Sequence, residues 1–451
     1  MQARCLRPQI MKITPARWQA FEILRRVEED GAYASVLLAT GAGELKPQDR
    51  ALCHELVLGV LRWQLWLDKL IEHYSGRAAD KIDPIALRSL RLGFYQLRFL
   101  ERVPESAAVN EAVNLMHAAR AGKAAGFVNA VLRRAVREPG VDPSASSENP
   151  QEKLAVQTSH PLWLIKHWVW QFGLEETAAF ARANNSAPPF VLRIGRAGRD
   201  VVAELRASGA LLTPAPLAPQ AWIIDKMTPL ARELAAEGWV YWQDEASQIV
   251  AHALNAQAGE RILDLCAAPG SKTTHIAALQ PQASVVACDI HETRLRLIAE
   301  AANRQGLSNI ELRHLDATET LPFAPASFDR VLVDAPCSGT GTLRRNPEIR
   351  WRIRHSDLQE LATRQAAILR QAAKAVKPDG RLIYSTCSIE RAENEEVVAA
   401  FAVKHTQFRP VVTNFAARLQ TKEGQARIWP HQDGADGFFI AVFEKQAGAG
   451  G

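Results

Sequence analysis

Residues 328–351 read Phe-Asp-Arg-Val-Leu-Val-Asp-Ala-Pro-Cys-Ser-Gly-Thr-Gly-Thr-Leu-Arg-Arg-Asn-Pro-Glu-Ile-Arg-Trp, and they indicate the fold class. Val331, Leu332 and Val333 form a short apolar run typical of a buried strand, and the tetrapeptide Asp-Ala-Pro-Cys, residues 334–337, comes directly after it. Open α/β sheets bind ligands at the carboxyl ends of their strands. The stretch therefore predicts an α/β sheet with a functional site at this edge.

A second cysteine ends another apolar run further along the chain. Residues 382–384, Leu-Ile-Tyr, lead into Ser-Thr-Cys-Ser, which places Cys387 after a strand just as Cys337 comes after the first one. A single cysteine is more often a buried, inert residue than a reactive one. Two cysteines at the ends of two parallel strands are expected to meet at one edge of the sheet, which favours a chemical role.

The composition is that of a water-soluble globular protein. The chain has 451 residues, of which 47% are hydrophobic and 23% charged, enough for about two to four domains. It has no apolar stretch of signal-peptide or membrane-spanning length, and its six cysteines form no Cys-x-x-Cys pair, which argues against disulfides and a zinc site. We therefore predict a cytoplasmic protein with reduced thiols, no metal and no membrane association.

The basic residues are concentrated in the N-terminal third. Residues 1–140 contain 21 Lys and Arg against 15 Asp and Glu, whereas the rest of the chain is nearly balanced and the whole carries a net charge of +5. A separate basic region favours an anionic polymer as partner, and a solvated arginine-rich helical surface is the alternative.

The chain is predicted to form three domains. Helical spacing of apolar residues, without a β-rich run, extends through the N-terminal region. A segment with three prolines, one glycine and three serines then marks a linker, and after a mixed region the chain alternates strand, turn and helix, as doubly wound α/β sheets do. The predicted boundaries are residues 1–138 for an all-α domain, 139–150 for the linker, 151–243 for a small α+β module, 244–446 for an α/β domain and 447–451 for a disordered tail.

Acidic residues lie at the ends of the first four predicted strands of the α/β domain, namely Asp264, Asp289, Asp316 and Asp334. The loop after the first strand has neither the dinucleotide nor the P-loop glycine spacing. An acid after the second strand is placed to bind ribose hydroxyls. The pattern suits a nucleoside with a cationic tail that carries no phosphate, which indicates S-adenosylmethionine.

Three motifs resemble those of the RNA cytosine-C5 methyltransferases of the Nol/Nop/Sun group. They are residues 264–272, the Pro-Cys motif at residues 334–337 and the Thr-Cys motif at residues 385–388, preceded by the helical Phe-Val-Asn-Ala-Val-Leu-Arg-Arg of residues 127–134. The resemblance covers nearly the whole chain. It implies a NusB-like RNA-binding domain, an RRM-like module, a Rossmann-type methyltransferase domain that binds S-adenosylmethionine, and bacterial 16S ribosomal RNA as substrate. The cofactor contacts that the resemblance implies are Cys266, Ala267, Ala268, Pro269, Gly270, Ser271, Lys272, Asp289, Asp316 and Asp334.

Methylation at carbon 5 of cytosine explains why two thiols are needed. Carbon 5 becomes nucleophilic only when a thiolate adds to carbon 6, and the adduct must later be released. Motif order leaves open which cysteine attacks, and the resemblance implies Cys387 as nucleophile and Cys337 as the release partner. Asp334 is expected to polarise the amino edge of cytosine. Lys272 is expected to orient the base or lower the pKa of a thiol, and a plain lysine at a helix start is the alternative.

An arginine-rich segment after Cys337 is predicted to bind unpaired RNA, because guanidinium and aromatic planes stack on bases and the target base must leave its stack. A surface loop that caps a helix is the alternative. The predicted RNA-binding residues are Arg344, Arg345, Arg350, Trp351, Arg352 and Arg354.

Two other functions remain open from the sequence. An amino-group methyltransferase would share the fold but would need no second thiol. A non-catalytic RNA-binding or antitermination factor could be built on the helical domain. We expect the protein to be a monomer.

Overall fold

A computed structural model of the chain describes residues 13–41, 43, 45–145, 147–412 and 415–447. The chain packs into two compact units, one of Met1–Ser186 with Leu343–Arg352 and one of Ala187–Thr342 with Ile353–Gly451. This division gives two units, whereas three domains with a linker were predicted, so the predicted boundaries stay a prediction. Cys5 and most of the predicted tail lie outside the described residues.

Within the described residues the helices are α1 Pro15–Glu29, α2 Ala34–Gly41, α3 Pro47–Arg62, α4 Gln64–Ser75, α5 Pro84–Phe99, α6 Glu105–Ala118, α7 Ala125–Arg137, α8 Pro150–Gln157, α9 Leu162–Phe172, α10 Leu174–Ala183, α11 Val201–Ala207, α12 Pro229–Ala236, α13 Glu245–Leu254, α14 Ser271–Leu279, α15 Glu292–Gln305, α16 Ile349–Arg352, α17 His355–Ala375, α18 Glu395–Lys404 and α19 Pro430–Asp433. The strands are β1 Phe190–Ile194, β2 Leu212–Pro214, β3 Ala221–Ile224, β4 Val240–Trp242, β5 Arg261–Asp264, β6 Ser284–Asp289, β7 Ile310–His314, β8 Phe328–Asp334, β9 Val376–Thr386, β10 Phe408–Pro410, β11 Ala426–Ile428 and β12 Phe438–Lys445.

The first unit is helical in its described residues, and the all-α prediction covers only its part up to residue 138. α1 begins at Pro15, and α5 begins at Pro84 with Asp83 accepting hydrogen bonds from two backbone N–H groups at its start. Proline fits the first helical turn because the N–H it lacks would have no helical partner there. The apolar faces of α1 to α7 bury side chains such as Phe21, Leu56 and Phe94 in one core.

The described residues of the predicted linker make local hydrogen bonds. Asp142 Oδ1 accepts from both the backbone N–H and the hydroxyl of Ser144, at 2.9 and 2.7 Å, and Ser144 is buried. Asn149 then caps α8 with its side-chain oxygen. Local hydrogen bonds of aspartate, serine and asparagine thus shape a segment whose composition indicates a flexible connection.

The second unit contains two sheets. The smaller is antiparallel, in the order β2-β3-β1-β4, and β2 and β4 are strands that the sequence did not indicate. The larger has the order β10-β12-β9-β8-β5-β6-β7, with β11 paired to β12. β5 to β9 pair in parallel, whereas β12 runs antiparallel to β9. The predicted combination of a helical domain, a small α+β module and a doubly wound α/β domain is confirmed.

The parallel strands bring their carboxyl ends to one edge of the larger sheet. Apolar side chains from β5, β6, β8 and β9 are buried on both faces, which fixes the strands in place. The residues at the carboxyl ends of these strands therefore lie along a single edge. Among the described residues, no helix has the length and apolar character needed to cross a membrane.

Candidate active site

The two predicted cysteines lie side by side. Cys337 comes after β8 and Cys387 after β9, and their Sγ atoms are 3.4 Å apart. The strands pair in parallel up to Asp334 and Ser385, and beyond them the N–H of Gly341 donates to the carbonyl of Cys387 at 2.9 Å. A Cβ on Gly341 would stand 2.8 Å from that carbonyl oxygen, so only glycine permits this approach of the two loops.

The environment of Cys337 favours its protonated form. The hydrogen bond with Cys387 and, after it, burial raise the pKa of Cys337 well above the ordinary value for a thiol. Cys337 is therefore a thiol near neutral pH and can donate its proton toward the neighbouring sulfur.

Lys272, which is buried, and Asp334, which is half-buried, form an ion pair next to the cysteines. Lys272 Nζ lies 2.7 Å from Asp334 Oδ2, and the Ser385 hydroxyl donates to Asp334 Oδ1 at 2.7 Å. Burial acts to lower the pKa of Lys272, but attraction to Asp334 and to Cys387 outweighs it and the net pKa is raised. Lys272 is therefore a cation held in place, and all four residues predicted to be catalytic belong to one cluster.

The loop between β5 and α14 forms the neighbouring part of the edge. Its Ala267 N–H donates to the Cys288 carbonyl at 2.8 Å, and its Ala268 N–H lies 3.3 Å from Asp289 Oδ2. Gly270 ends the loop with φ of +102°, a conformation that favours glycine. The small side chains keep the backbone of this loop open to a ligand.

Acidic side chains lie at the strand ends beside this loop, as predicted. Asp289 is buried at the end of β6 and accepts from the His291 N–H at 2.9 Å, while Asp316 comes after β7. Two hydrogen bonds from Thr318 lower the pKa of Asp316, which keeps it ionised. Carboxylates accept hydrogen bonds from ribose hydroxyls and repel phosphate, so this set fits a nucleoside whose tail is cationic rather than phosphorylated. S-adenosylmethionine meets that description.

The structure corrects the prediction that Arg344 and Arg350 bind RNA. Only 3% of Arg344 and none of Arg350 is exposed, and both lie in the segment Leu343–Arg352 that packs within the helical unit. The guanidinium of Arg350 donates to the carbonyls of Arg62, Ser159 and Asn184 at 3.1 to 3.3 Å. Composition indicated a stacking surface here, but the Arg350 side chain binds carbonyl groups of its own unit and Arg344 is enclosed with it.

The other four predicted RNA-binding residues are less enclosed. The Trp351 indole donates to the Leu61 carbonyl at 2.8 Å, and Arg352 donates to the Val27 carbonyl at 3.0 Å. Arg345 is half-buried and Arg354 is exposed before α17. A role for these four in RNA binding stays a prediction.

Arg350→Ala is expected to lower the free energy of unfolding of the helical unit by about 3–5 kcal/mol, because it leaves several buried carbonyls without a donor. Burial, followed by repulsion from Arg62, lowers the pKa of Arg350 to about 9, which reflects how fully it is desolvated. Arg133→Ala, an exposed change in the same unit, should alter stability by less than about 0.5 kcal/mol. Urea unfolding measures the free energy of unfolding of both variants. An equal loss in Arg350→Ala and Arg133→Ala would contradict the anchoring role of Arg350.

Sequence reasoning missed a set of polar residues behind the cysteines. Glu393, Gln365, Ser338 and Ser388 are fully or almost fully buried and bond to one another. The two serines come directly after the two cysteines, which is a signal the sequence contains. The sequence could not show that Glu393 and Gln365 turn inward to meet them.

The edge of the sheet, with its acidic strand ends and small-residue loop, defines an S-adenosylmethionine-dependent methyltransferase. Family models for "16S rRNA methyltransferase RsmB/F", the NusB family and a ferredoxin-like domain of RsmF/B-like methyltransferases match residues 251–444, 14–137 and 160–231. A probable ribosomal RNA small subunit methyltransferase B of Bacillus subtilis is 38% identical over 97% of this chain and its own full length. Ribosomal RNA small subunit methyltransferase B of Vibrio cholerae is 35% identical over 96% of this chain and 98% of its own length.

Solved structures agree with these relatives. The crystal structure of PH0851 superposes with a TM-score of 0.83 at 27% identity, covering 96% of this chain and all of its own. A methyltransferase homolog from Pyrococcus horikoshii has a TM-score of 0.57 at 25% identity, over 66% of this chain and 99% of its own. The chain belongs to the RsmB/F family of ribosomal RNA methyltransferases, with a NusB domain, a ferredoxin-like module and a domain that uses S-adenosylmethionine.

Proposed function

We propose that this ribosomal RNA methyltransferase methylates carbon 5 of a cytosine in 16S ribosomal RNA, and that the reaction passes through a covalent adduct between Cys387 and the base. The observation that carries the proposal is the 3.4 Å separation of the Cys337 and Cys387 sulfurs beside the Lys272–Asp334 pair. Transfer to an amino group has no use for two adjacent thiols.

Cys387 acts as the nucleophile in this proposal. Its thiolate adds to carbon 6 of the flipped cytosine, and the ring electrons move to carbon 5, which becomes an enamine-like nucleophile. When bound, S-adenosylmethionine supplies an electrophilic methyl group on a sulfonium centre. The Lys272 ammonium, which is attracted to Cys387, stabilises the thiolate before it attacks.

Cys337 assists release. After methyl transfer a water molecule accepts the proton on carbon 5, the electrons of that carbon–hydrogen bond re-form the double bond between carbons 5 and 6, and the carbon–sulfur bond breaks with Cys387 leaving as a thiolate. The leaving sulfur carries negative charge, and the Cys337 thiol lies close enough to donate a hydrogen bond to it. The raised pKa of Cys337 keeps that proton available.

Asp334 and Lys272 position the base. In the proposal the Asp334 carboxylate accepts a hydrogen bond from the cytosine amino group, and Lys272 and Ser385 fix its orientation. Uracil presents a carbonyl at the corresponding position, which would face a carboxylate without a proton between them. The pair therefore favours cytosine over uracil.

The RNA is held by the basic helical unit and by the less enclosed residues of the arginine-rich segment. The assignment of 16S RNA as substrate rests on family membership and on the names of the relatives. Binding through phosphate contacts would weaken steeply with added salt.

Incubation with 16S ribosomal RNA and S-adenosylmethionine carrying a labelled methyl group tests the proposal. Digestion to nucleosides and mass spectrometry should give labelled 5-methylcytidine at about one per RNA molecule, as expected for a site-specific enzyme. Labelled N4-methylcytidine would instead assign an amino-group methyltransferase. No label in any nucleoside would favour a non-catalytic RNA-binding factor.

A further inference from the structure

Glu393 is a buried acid that the proposed reaction does not use. It lies in the short turn Arg391–Glu393 that comes after β9, and none of it is exposed to solvent. A buried carboxylate is costly unless donors surround it. Three of the four groups that donate to its carboxylate belong to the two loops that carry the cysteines.

The carboxylate binds both cysteine loops at once. Oε1 accepts from the backbone N–H of Ser338 at 2.8 Å, and Oε2 accepts from the hydroxyls of Ser338 and Ser388, the latter at 2.5 Å. Ser338 is the residue after Cys337 and Ser388 is the residue after Cys387. One side chain thus connects the residues directly beside the two thiols.

A second residue extends the connection. Gln365 on α17 donates through Nε2 both to Glu393 Oε1 and to the Pro336 carbonyl, each at 2.9 Å. The Tyr384 hydroxyl donates to the Glu393 backbone carbonyl at 2.5 Å, which fixes the turn against β9. The residues on either side of Cys337 and the residue after Cys387 are therefore tied to one buried group.

We propose that Glu393 is a positioning residue that sets the separation of Cys337 and Cys387. The catalytic role of this positioning rests on the proposed function. The separation of the two thiols does not depend on it. A thiol that must add to the base and a thiol that must aid its departure require a fixed spacing. A displacement of about 1 Å in an active site can lower the rate about a hundredfold.

Charge and shape both matter in this position. A carboxylate can accept all four of these hydrogen bonds, two at each oxygen. Glu393→Gln keeps the size of the side chain, but a glutamine has one acceptor oxygen and one amide group that only donates. The amide group therefore leaves two donors without an acceptor, either the Ser338 N–H and the Gln365 amide or the hydroxyls of Ser338 and Ser388. Ser388→Ala removes the hydrogen bond between Glu393 and the Cys387 loop and leaves the carboxylate in place. It also removes the contacts of this hydroxyl with the Ser338 and Thr340 hydroxyls and with the Glu390 N–H.

The test measures the spacing of the thiols directly. A trivalent arsenical, phenylarsine oxide, binds tightly only where two thiols can reach the same arsenic atom. Its affinity should fall at least about tenfold in Glu393→Gln and in Ser388→Ala, because the loops lose their common anchor. The kcat for methyl transfer should fall at least about tenfold as well, whereas the KM for S-adenosylmethionine should stay within about twofold.

Ser89→Ala is the matched control, since it removes a buried serine hydroxyl, bonded to the Ala112 carbonyl at 2.7 Å, in the helical unit. It should change neither arsenical affinity nor kcat. Arsenical affinity and kcat within about twofold of the unmodified protein in both Glu393→Gln and Ser388→Ala would overturn the proposal. Ser388→Ala also decides the question if Glu393→Gln does not fold.

Failure of the proposed function has a different signature. In that case Cys387→Ala would keep methyl-transfer activity, while loss of arsenical affinity in Glu393→Gln would still support the positioning of the two thiols.

Discussion

Replacing Cys387 with alanine is expected to abolish methyl transfer, with a fall in kcat of about four orders of magnitude or more, as for other enzymes that lose a covalent nucleophile. Without the thiolate, carbon 5 of cytosine has too little electron density to accept a methyl group. Binding of S-adenosylmethionine should persist, because the loop of residues 266–270 comes after β5 and Asp289 ends β6, whereas Cys387 comes after β9. Turnover and cofactor binding are measured on the same preparation.

The control for this variant is Cys53→Ala, which removes a buried thiol from the core of the helical unit. Its activity should remain close to that of the unmodified protein. Methyl transfer by Cys387→Ala at even about a tenth of the normal rate would contradict a role as nucleophile.

Replacing Cys337 with alanine is expected to stall the enzyme after the chemical step. The adduct should still form, because Cys387 is present, but the leaving sulfur loses the donor at 3.4 Å. Turnover should fall about a hundredfold to a thousandfold, in the range typical when an acid–base group is removed. A protein–RNA complex that survives denaturation should accumulate with ordinary cytosine RNA.

The double variant Cys337→Ala/Cys387→Ala serves as the control, since it lacks the nucleophile and should form no such complex. Normal turnover by Cys337→Ala, without accumulated complex, would show that release needs another group.

The meeting of the two thiols could be predicted from the sequence because it depends on a simple rule. Each cysteine comes after an apolar strand, and parallel strands bring the residues at their carboxyl ends to one edge of a sheet. The same rule predicted the line of acids from Asp264 to Asp334. Residues that act at strand ends can be found in this way because their position along the chain fixes their position in the fold.

The direction of side chains in short helices and turns could not be predicted from the sequence. Arg350 and Trp351 lie shortly after Pro347 in a segment rich in arginine, a composition that suits a surface as well as an anchor. Tertiary packing decides between the two, and it buries Arg350 among carbonyl groups. Glu393 was missed for the same reason, since an acid in a polar stretch is most often exposed.

The anchored segment also affects how the helical unit can be tested. Glu348 accepts from the Ala34 N–H at 2.8 Å and Arg350 donates to the Arg62 carbonyl. Deleting residues 1–140 would remove both partners and disturb the segment that lies after Cys337. Substitution of exposed basic residues is the cleaner way to measure the contribution of this unit to RNA binding.

Mass spectrometry of the protein bound to RNA that contains 5-fluorocytosine tests the central claim most directly. Release requires a base to remove the proton on carbon 5, and a fluorine atom in its place cannot be removed in this way. An adduct that has accepted the methyl group therefore stays bound to the protein. After digestion with protease and nuclease, the account predicts a methylated 5-fluorocytosine nucleotide attached to the peptide that contains Cys387. The same nucleotide on the Cys337 peptide, or no nucleotide on either peptide, would contradict it.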